Sequence, residues 1–301
     1  MTNKNYHLFI IILSFIFTLS FSYGLTKTKK TVPLSSYIYG ITVDDSWNGK
    51  TKMQHIITAI KAMDVKPTVR IVMSKEISPE KYKKLFEEIH KVAYIMATPV
   101  DSYDMKKYDI LSYLKRFKDS YEALSEYTDL WEIGNEINGE GWLGKNPELI
   151  SKKAYAAFRY ISNNKAKTVL TAYYSAPGEQ QISMDKWLIK YIPDDMKKNL
   201  DYVLVSYYED DNNGYQPDWK KIFRNLETIF PNSKLGIGEC GNTHKKATVE
   251  SKIKMVRHYY TMPKYVKNYI GGYFWWYWVQ DSVPHQKNKV WEEINKSMKS
   301  S

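Results

Sequence analysis

The sequence predicts a single (β/α)8 TIM barrel of the α/β class, and three observations carry that prediction. Eight short apolar runs of β type alternate with amphipathic, helix-like stretches from residue 37 to residue 301. Several of the runs are continuously apolar, as parallel strands buried on both faces must be. The 265 residues of this region (301 − 37 + 1) match the length of about 250 typical of such barrels. A doubly wound open sheet would call for a Gly-rich phosphate loop after an early strand, and the sequence has none.

Taken in order, the first strand is predicted at Tyr37–Val43 and the second at Thr68–Met73. Ser78-Pro79-Glu80 then opens a helix, with Ser as the cap and Pro at the first helical position. The third strand is Tyr94–Thr98, followed by apolar residues at helical spacing over Tyr108–Glu126. The fourth, Leu130–Asn135, precedes a second cap signal, Asn146-Pro147-Glu148, and a helix through Asn163. Strand five, Thr168–Tyr173, leads into the least regular helix, broken around Pro193-Asp194-Asp195. Strand six is Tyr202–Tyr207, followed by helix Asp218–Phe230. Strand seven is Leu235–Glu239, followed by helix Thr248–Tyr260. Strand eight is Gly272–Trp278, and helix Val290–Met298 closes the fold.

The N-terminus reads as a leader rather than part of the barrel. Lys4 precedes a 14-residue run, Leu8 to Phe21, of apolar, Ser and Thr residues, and small residues follow at Ser20, Ser22 and Gly24. That layout predicts a signal peptide over 1–24, a linker over 25–36 and the barrel over 37–301. The expected location is therefore secreted, periplasmic or on the cell envelope. The run is short for a span of about 20 residues, so no stable membrane insertion is expected after cleavage, with an uncleaved anchor as the alternative. Cys240 is the only cysteine, which excludes an intrachain disulfide and multi-cysteine metal sites. His244 and His285 lack metal-ligand spacing, and neither a metal nor a cofactor is expected. The net charge of +11 fits either lysines spread over solvent-facing helices or contact with an anionic glycan or envelope. No arginine-rich or aromatic RNA-binding signature points to nucleic acid, and a monomer is expected.

Barrel active sites form where the strands end. Leu130-Trp131-Glu132-Ile133-Gly134-Asn135-Glu136 ends strand four in an Asn-Glu pair, and Leu235–Glu239 ends strand seven in a second glutamate. Two carboxylates from these ends can flank one bond. Glycosidic cleavage needs that pair, one protonated as general acid and one ionised. Glu132 shares the parity of Glu136 and is expected to be a buried structural carboxylate. Cys240 beside Glu239 is expected to be an inert buried thiol.

At these positions the chain resembles glycoside hydrolase clan A, the retaining (β/α)8-barrel glycosidases, over nearly the whole region 37–301. The resemblance implies Glu136 as acid/base, Glu239 as nucleophile and Asn135 as a ligand of the sugar 2-hydroxyl. It implies that Arg70, ending Thr68-Val69-Arg70, hydrogen-bonds the nucleophile; an ordinary ion pair is the alternative. Trp276, four residues after Gly272, matches the floor of the sugar subsite. Strand six ends Ser206-Tyr207-Tyr208 where many members carry His-x-Tyr, which leaves the nucleophile's tyrosine open between Tyr207 and Tyr208. Trp142 and Trp278 are candidates for stacking on sugar or for packing. The expected function is a secreted retaining glycosidase acting on β-linked poly- or oligosaccharide, with anionic polysaccharide a candidate from the charge. Short loops, with Glu140-Gly141-Trp142 and Glu209–Tyr215 the main candidates for contact, favour an open groove and endo action. An inactive glycan-binding barrel of the envelope is the alternative.

Overall fold

A computed structural model describes residues 37–139 and 141–299. The predicted leader 1–24, the linker 25–36 and Glu140 lie outside the described residues. Eight parallel strands close a barrel in sequence order: β1 (Ile38–Val43), β2 (Thr68–Val72), β3 (Tyr94–Thr98), β4 (Leu130–Gly134), β5 (Lys167–Tyr173), β6 (Tyr202–Ser206), β7 (Lys234–Cys240) and β8 (Tyr269–Trp275). Around it lie α1 (Met53–Lys61), α2 (Lys83–His90), α3 (Ser102–Met105), α4 (Ile110–Leu124), α5 (Pro147–Asn163), α6 (Met184–Tyr191), α7 (Asp194–Asn199), α8 (Trp219–Ile229), α9 (Val249–Tyr260), α10 (Trp278–Ser282) and α11 (Lys289–Ser297).

Alternation along each strand sorts the core into two parts. Outward residues such as Ile95, Trp131, Ile133, Leu170, Val203 and Val205 join the large cluster under the helices. Inward ones, including Met96, Leu130, Val169, Leu204 and Phe274, make a separate plug inside the barrel. Two residues further along the same inward faces, the apolar side chains give way to polar ones. Met96 is followed by Thr98, Leu130 by Glu132, Val169 by Thr171 and Leu204 by Ser206, all buried. The barrel is thus greased at the end where its strands begin and polar at the mouth where they end.

Two predictions need correction. Strand eight spans Tyr269–Trp275, not Gly272–Trp278. Gly271, Gly272 and Tyr273 all have positive φ (81°, 108° and 62°), and pairing to both neighbours shifts register there. The glycines therefore mark a bulge inside the strand, not its start. A Cβ at Gly272 would lie 1.8 Å from the Ile237 carbonyl oxygen, so only glycine fits. The strand ends before left-handed Tyr277 (φ 58°), after which Trp278 starts α10. Ser78 makes no side-chain cap bond, and a 3-10 turn over Pro79–Tyr82 precedes α2. Asn146 does cap α5, accepting from the Leu149 N–H at 2.9 Å.

Candidate active site

Both glutamates reach the barrel mouth, in a cavity of about 410 Å3 lined by residues that follow β3, β4, β5, β6, β7 and β8. Glu239 is anchored from two sides. Arg70 Nη1 donates to its Oε2 at 2.5 Å, and the Tyr208 hydroxyl donates to its Oε1 at 2.5 Å. Arg70 is itself fixed by Glu132, which accepts from its Nε at 2.9 Å. The remaining capacity of Glu132 is taken by the hydroxyls of Thr98, at 2.5 Å, and Thr171. Glu132 therefore holds the guanidinium that holds Glu239.

Glu136 has different surroundings. It adopts a left-handed conformation, φ 47°, which costs an L-residue about 1–2 kcal/mol. The turn is held by Ile137 N–H to Thr171 O at 3.0 Å and Gly139 N–H to Glu136 O at 2.7 Å. It delivers the carboxyl between the Ser206 hydroxyl, at 2.7 Å, and the Ser102 hydroxyl, at 3.0 Å. No cation bonds it among the described residues. Ser206 and Tyr208, two positions apart, touch Glu136 and Glu239 respectively, so the end of β6 spans both carboxyls.

The electrostatics separate the pair. Burial, then the charge of Glu239, push Glu136 up to about 8, against which the two serine hydroxyls are insufficient. Burial also raises Glu239, but Arg70 and the Tyr208 hydroxyl favour its ionised form. Of the two, Glu136 thus holds its proton the more tightly, and Glu239, beside Arg70 and Tyr208, is the one whose ionised form is favoured. The Tyr208 hydroxyl is pushed well up by burial and by Glu239, so it stays a donor. Asp101, also raised by burial, accepts from Asn135 Nδ2 at 3.1 Å and leaves the buried Asn135 Oδ1 without a protein partner. Arg70 Nη2 is buried and likewise without a partner.

The open choice at strand six falls to Tyr208. Tyr207 is fully buried and donates instead to the Tyr215 carbonyl. Trp276 lines the mouth one residue beyond β8, its ring 5.9 Å from the Arg70 guanidinium carbon. Trp142 lines the opposite rim, stacked on Tyr103 at 6.2 Å and edge-on to Tyr173 at 5.1 Å. A Cβ at Gly139 would sit 2.1 Å from the Trp142 ring, so glycine there is what lets the indole fold down. Trp278 is no platform: its indole is wholly buried beneath α10, because the strand turns into a helix before reaching it. Cys240 is buried and its thiol is pushed up by that burial, as an inert residue would be. His244 accepts from the Lys246 N–H, and His285 packs on Trp291.

Sequence reasoning missed Asp101, Ser102 and Tyr103 after β3, Tyr173 ending β5, Ser206 ending β6, and Thr243 and Tyr277 in the loops, whereas Asp211 comes from the predicted contact loop Glu209–Tyr215. Their common signal was position just past a strand end. Among the described residues the lining holds four carboxyl groups, Asp101, Glu136, Asp211 and Glu239, and no lysine or arginine.

No family model matches the sequence, and no curated protein matches it either. Solved structures do match in fold. Gas2p of Saccharomyces cerevisiae in complex with laminaripentaose superposes with a TM-score of 0.58 at 14% identity, covering 88% of this chain and 65% of that one. A Gas2p mutant in complex with laminaritetraose and laminaripentaose gives 0.58 at 13% identity, over 88% and 63%. A complex of the same protein with a synthetic compound gives 0.59 at 14% identity, over 88% and 65%. This chain thus spans a little under two thirds of those chains, and the shared feature is the barrel fold.

Proposed function

We propose that this protein is a retaining glycoside hydrolase of clan A, with Glu239 as nucleophile and Glu136 as general acid/base. The carrying observation is the asymmetry of the two carboxyls: Glu239 bonds a buried guanidinium and a tyrosine hydroxyl, while Glu136 is pushed up to about 8 with no cation bonded to it. In the first step the Glu239 carboxylate attacks the anomeric carbon while Glu136 gives its proton to the departing oxygen. In the second, Glu136, now ionised, takes a proton from water, whose oxygen displaces Glu239 and restores the starting configuration. Glu136 loses its proton while the charge on Glu239 is used up in the covalent bond, so each event favours the other. Asn135 Oδ1 and Arg70 Nη2, both buried and without partners among the described residues, are the polar atoms left for sugar hydroxyls.

The substrate is a neutral, β-linked glucan-type polysaccharide. An anionic polymer is disfavoured by a cleft whose described lining residues include Asp101, Asp211 and Glu239 and no lysine or arginine. The open mouth between the Tyr103–Trp142 rim and the Trp276–Tyr277 rim suits a chain passing through, hence endo action. The likeness to Gas2p makes laminari-oligosaccharides the first substrates to try. Glu239 keeps both a guanidinium and a tyrosine partner although strand six has no histidine, which disfavours an inactive glycan-binding barrel. The test is digestion of laminarin, another neutral β-glucan and polygalacturonate, with the first-formed anomer followed by proton NMR. Release of the β-anomer from a neutral glucan is expected. Inversion, or cleavage of polygalacturonate alone, contradicts the proposal.

A further inference from the structure

The chain's net charge of +11 has no use at a cleft lined by four carboxylates. At the opposite end of the barrel, where the strands begin, one half carries a cluster of lysines. Lys167 and Lys234 are the first residues of β5 and β7, and Lys165, Lys198, Lys264 and Lys267 lie in the segments leading into β5, β6 and β8. All six are exposed. Within segments 164–167, 198–201, 230–234 and 261–268 the one acidic residue is Asp201, giving a charge of +5 (6 − 1). Segments 62–67, 91–93 and 125–129, leading into β2, β3 and β4, carry −1 (2 − 3).

These lysines belong to one continuous surface. Lys167 Nζ pairs with Asp201 at 2.6 Å, and the Lys234 N–H donates to the Asp201 carbonyl at 2.9 Å. Asn232 Nδ2 donates to the Lys198 carbonyl at 2.9 Å, and Asn268 Nδ2 to the Ser233 carbonyl at 2.6 Å, which draws the Lys267 segment alongside. A shallow depression between them has Lys167, Lys198 and Lys234 in its lining, together with Asp201, Asn199 and Asn232. Ile38, the first residue of β1, is at this same end.

We propose that the β5–β8 half of the barrel base docks on an anionic phospholipid surface, with the catalytic mouth facing away from it. Charge complementarity supplies the attraction: six exposed lysines spread over one face match a sheet of anionic headgroups, which a small soluble anion cannot cover. Lysines near an anionic bilayer contribute about 1 kcal/mol each, or about fivefold in partitioning. The test is sedimentation of the full chain with vesicles of phosphatidylcholine alone or with about a third phosphatidylglycerol. Binding to the anionic vesicles only is expected, and it should fail as salt rises from 0.1 to 1 M and the screening length falls from about 10 to about 3 Å. The triple variant Lys198→Ala, Lys234→Ala, Lys267→Ala should bind on the order of 100-fold more weakly, and Lys198→Ala alone about fivefold. The control triple Lys145→Ala, Lys245→Ala, Lys246→Ala removes the same charge from exposed positions in loops at the mouth and should leave binding unchanged. Equal loss in the two triples, equal binding to neutral vesicles, or binding to soluble polyphosphate without binding to vesicles would each overturn the proposal. Hydrolysis of a soluble substrate reports on the cleft separately, so failure here and failure of the glycosidase reading are distinguishable.

Discussion

Replacing Glu239 by Gln should pull the Glu136 proton off at a lower pH, and the size of that change follows from the site. Glu136 stands about 3.5 units above its ordinary value (8 − 4.5), equivalent to about 5 kcal/mol. Burial is the largest cause and the Glu239 charge the next. Two unit charges about 5 Å apart, the spacing that retention requires, interact by about 3 kcal/mol at an effective dielectric of 20, or roughly 2 units. Since burial must exceed this share, removing the charge should lower Glu136 by about one to two units, to about 6–7. The substitution also leaves Arg70 opposed by Glu132 alone, and its less compensated charge acts in the same direction. The assay is a carbon-13 NMR titration of glutamate carboxyl groups, with Glu136→Gln used to assign the signal. A Glu136 value still near 8 in the Glu239→Gln variant would mean that burial alone sets it. The two carboxyls would then not be coupled as double displacement needs.

The pH dependence of kcat/KM should fall with unit slope above about pH 8, as Glu136 ionises. A plateau through pH 9.5 would remove Glu136 as the acid. Glu136→Ala should lose 10²–10⁴-fold on unactivated glycosides and much less on dinitrophenyl glycosides, with azide restoring turnover as glycosyl azide; equal losses on both would contradict its role. Tyr208→Phe should reduce kcat/KM about 10- to 100-fold, from a charge-assisted bond worth about 1.5–3 kcal/mol. Tyr207→Phe should cost about 1 kcal/mol of stability and little activity, and the reverse pattern would reassign the tyrosine. Because the folded-state value of Glu136 is raised, its contribution to stability is fully present below about pH 4.5 and is lost as pH rises to about 8. Denaturant titrations at pH 5 and pH 9 should therefore show wild type losing more stability than Glu136→Gln, by at most about 5 kcal/mol; parallel losses would refute the shift.

The barrel and both glutamates were legible because strand ends announce themselves: continuous apolar runs terminate abruptly in a polar residue at Asn135 and Glu239. What failed was tied to backbone conformation. Gly271 and Gly272 look like a boundary in one dimension and form a bulge in three, so the strand was displaced by three residues and Trp278 was given a stacking role it does not have. Asp101, Ser102 and Tyr103 were missed because the loop after β3 has no periodicity to read. The choice between Tyr207 and Tyr208 needed the direction in which each side chain leaves the end of β6, which the sequence leaves ambiguous. The total charge said nothing of its distribution, and it left an anionic substrate open while the described mouth lining holds carboxylates.

The central claim, that Glu239 forms a covalent bond to sugar, is tested most directly by trapping it. Incubation with a 2-deoxy-2-fluoro laminari-oligosaccharyl fluoride, then proteolysis and tandem mass spectrometry, should place one glycosyl adduct on Glu239 and none on Glu239→Gln. An adduct on Glu136 or on any other residue would contradict the assignment.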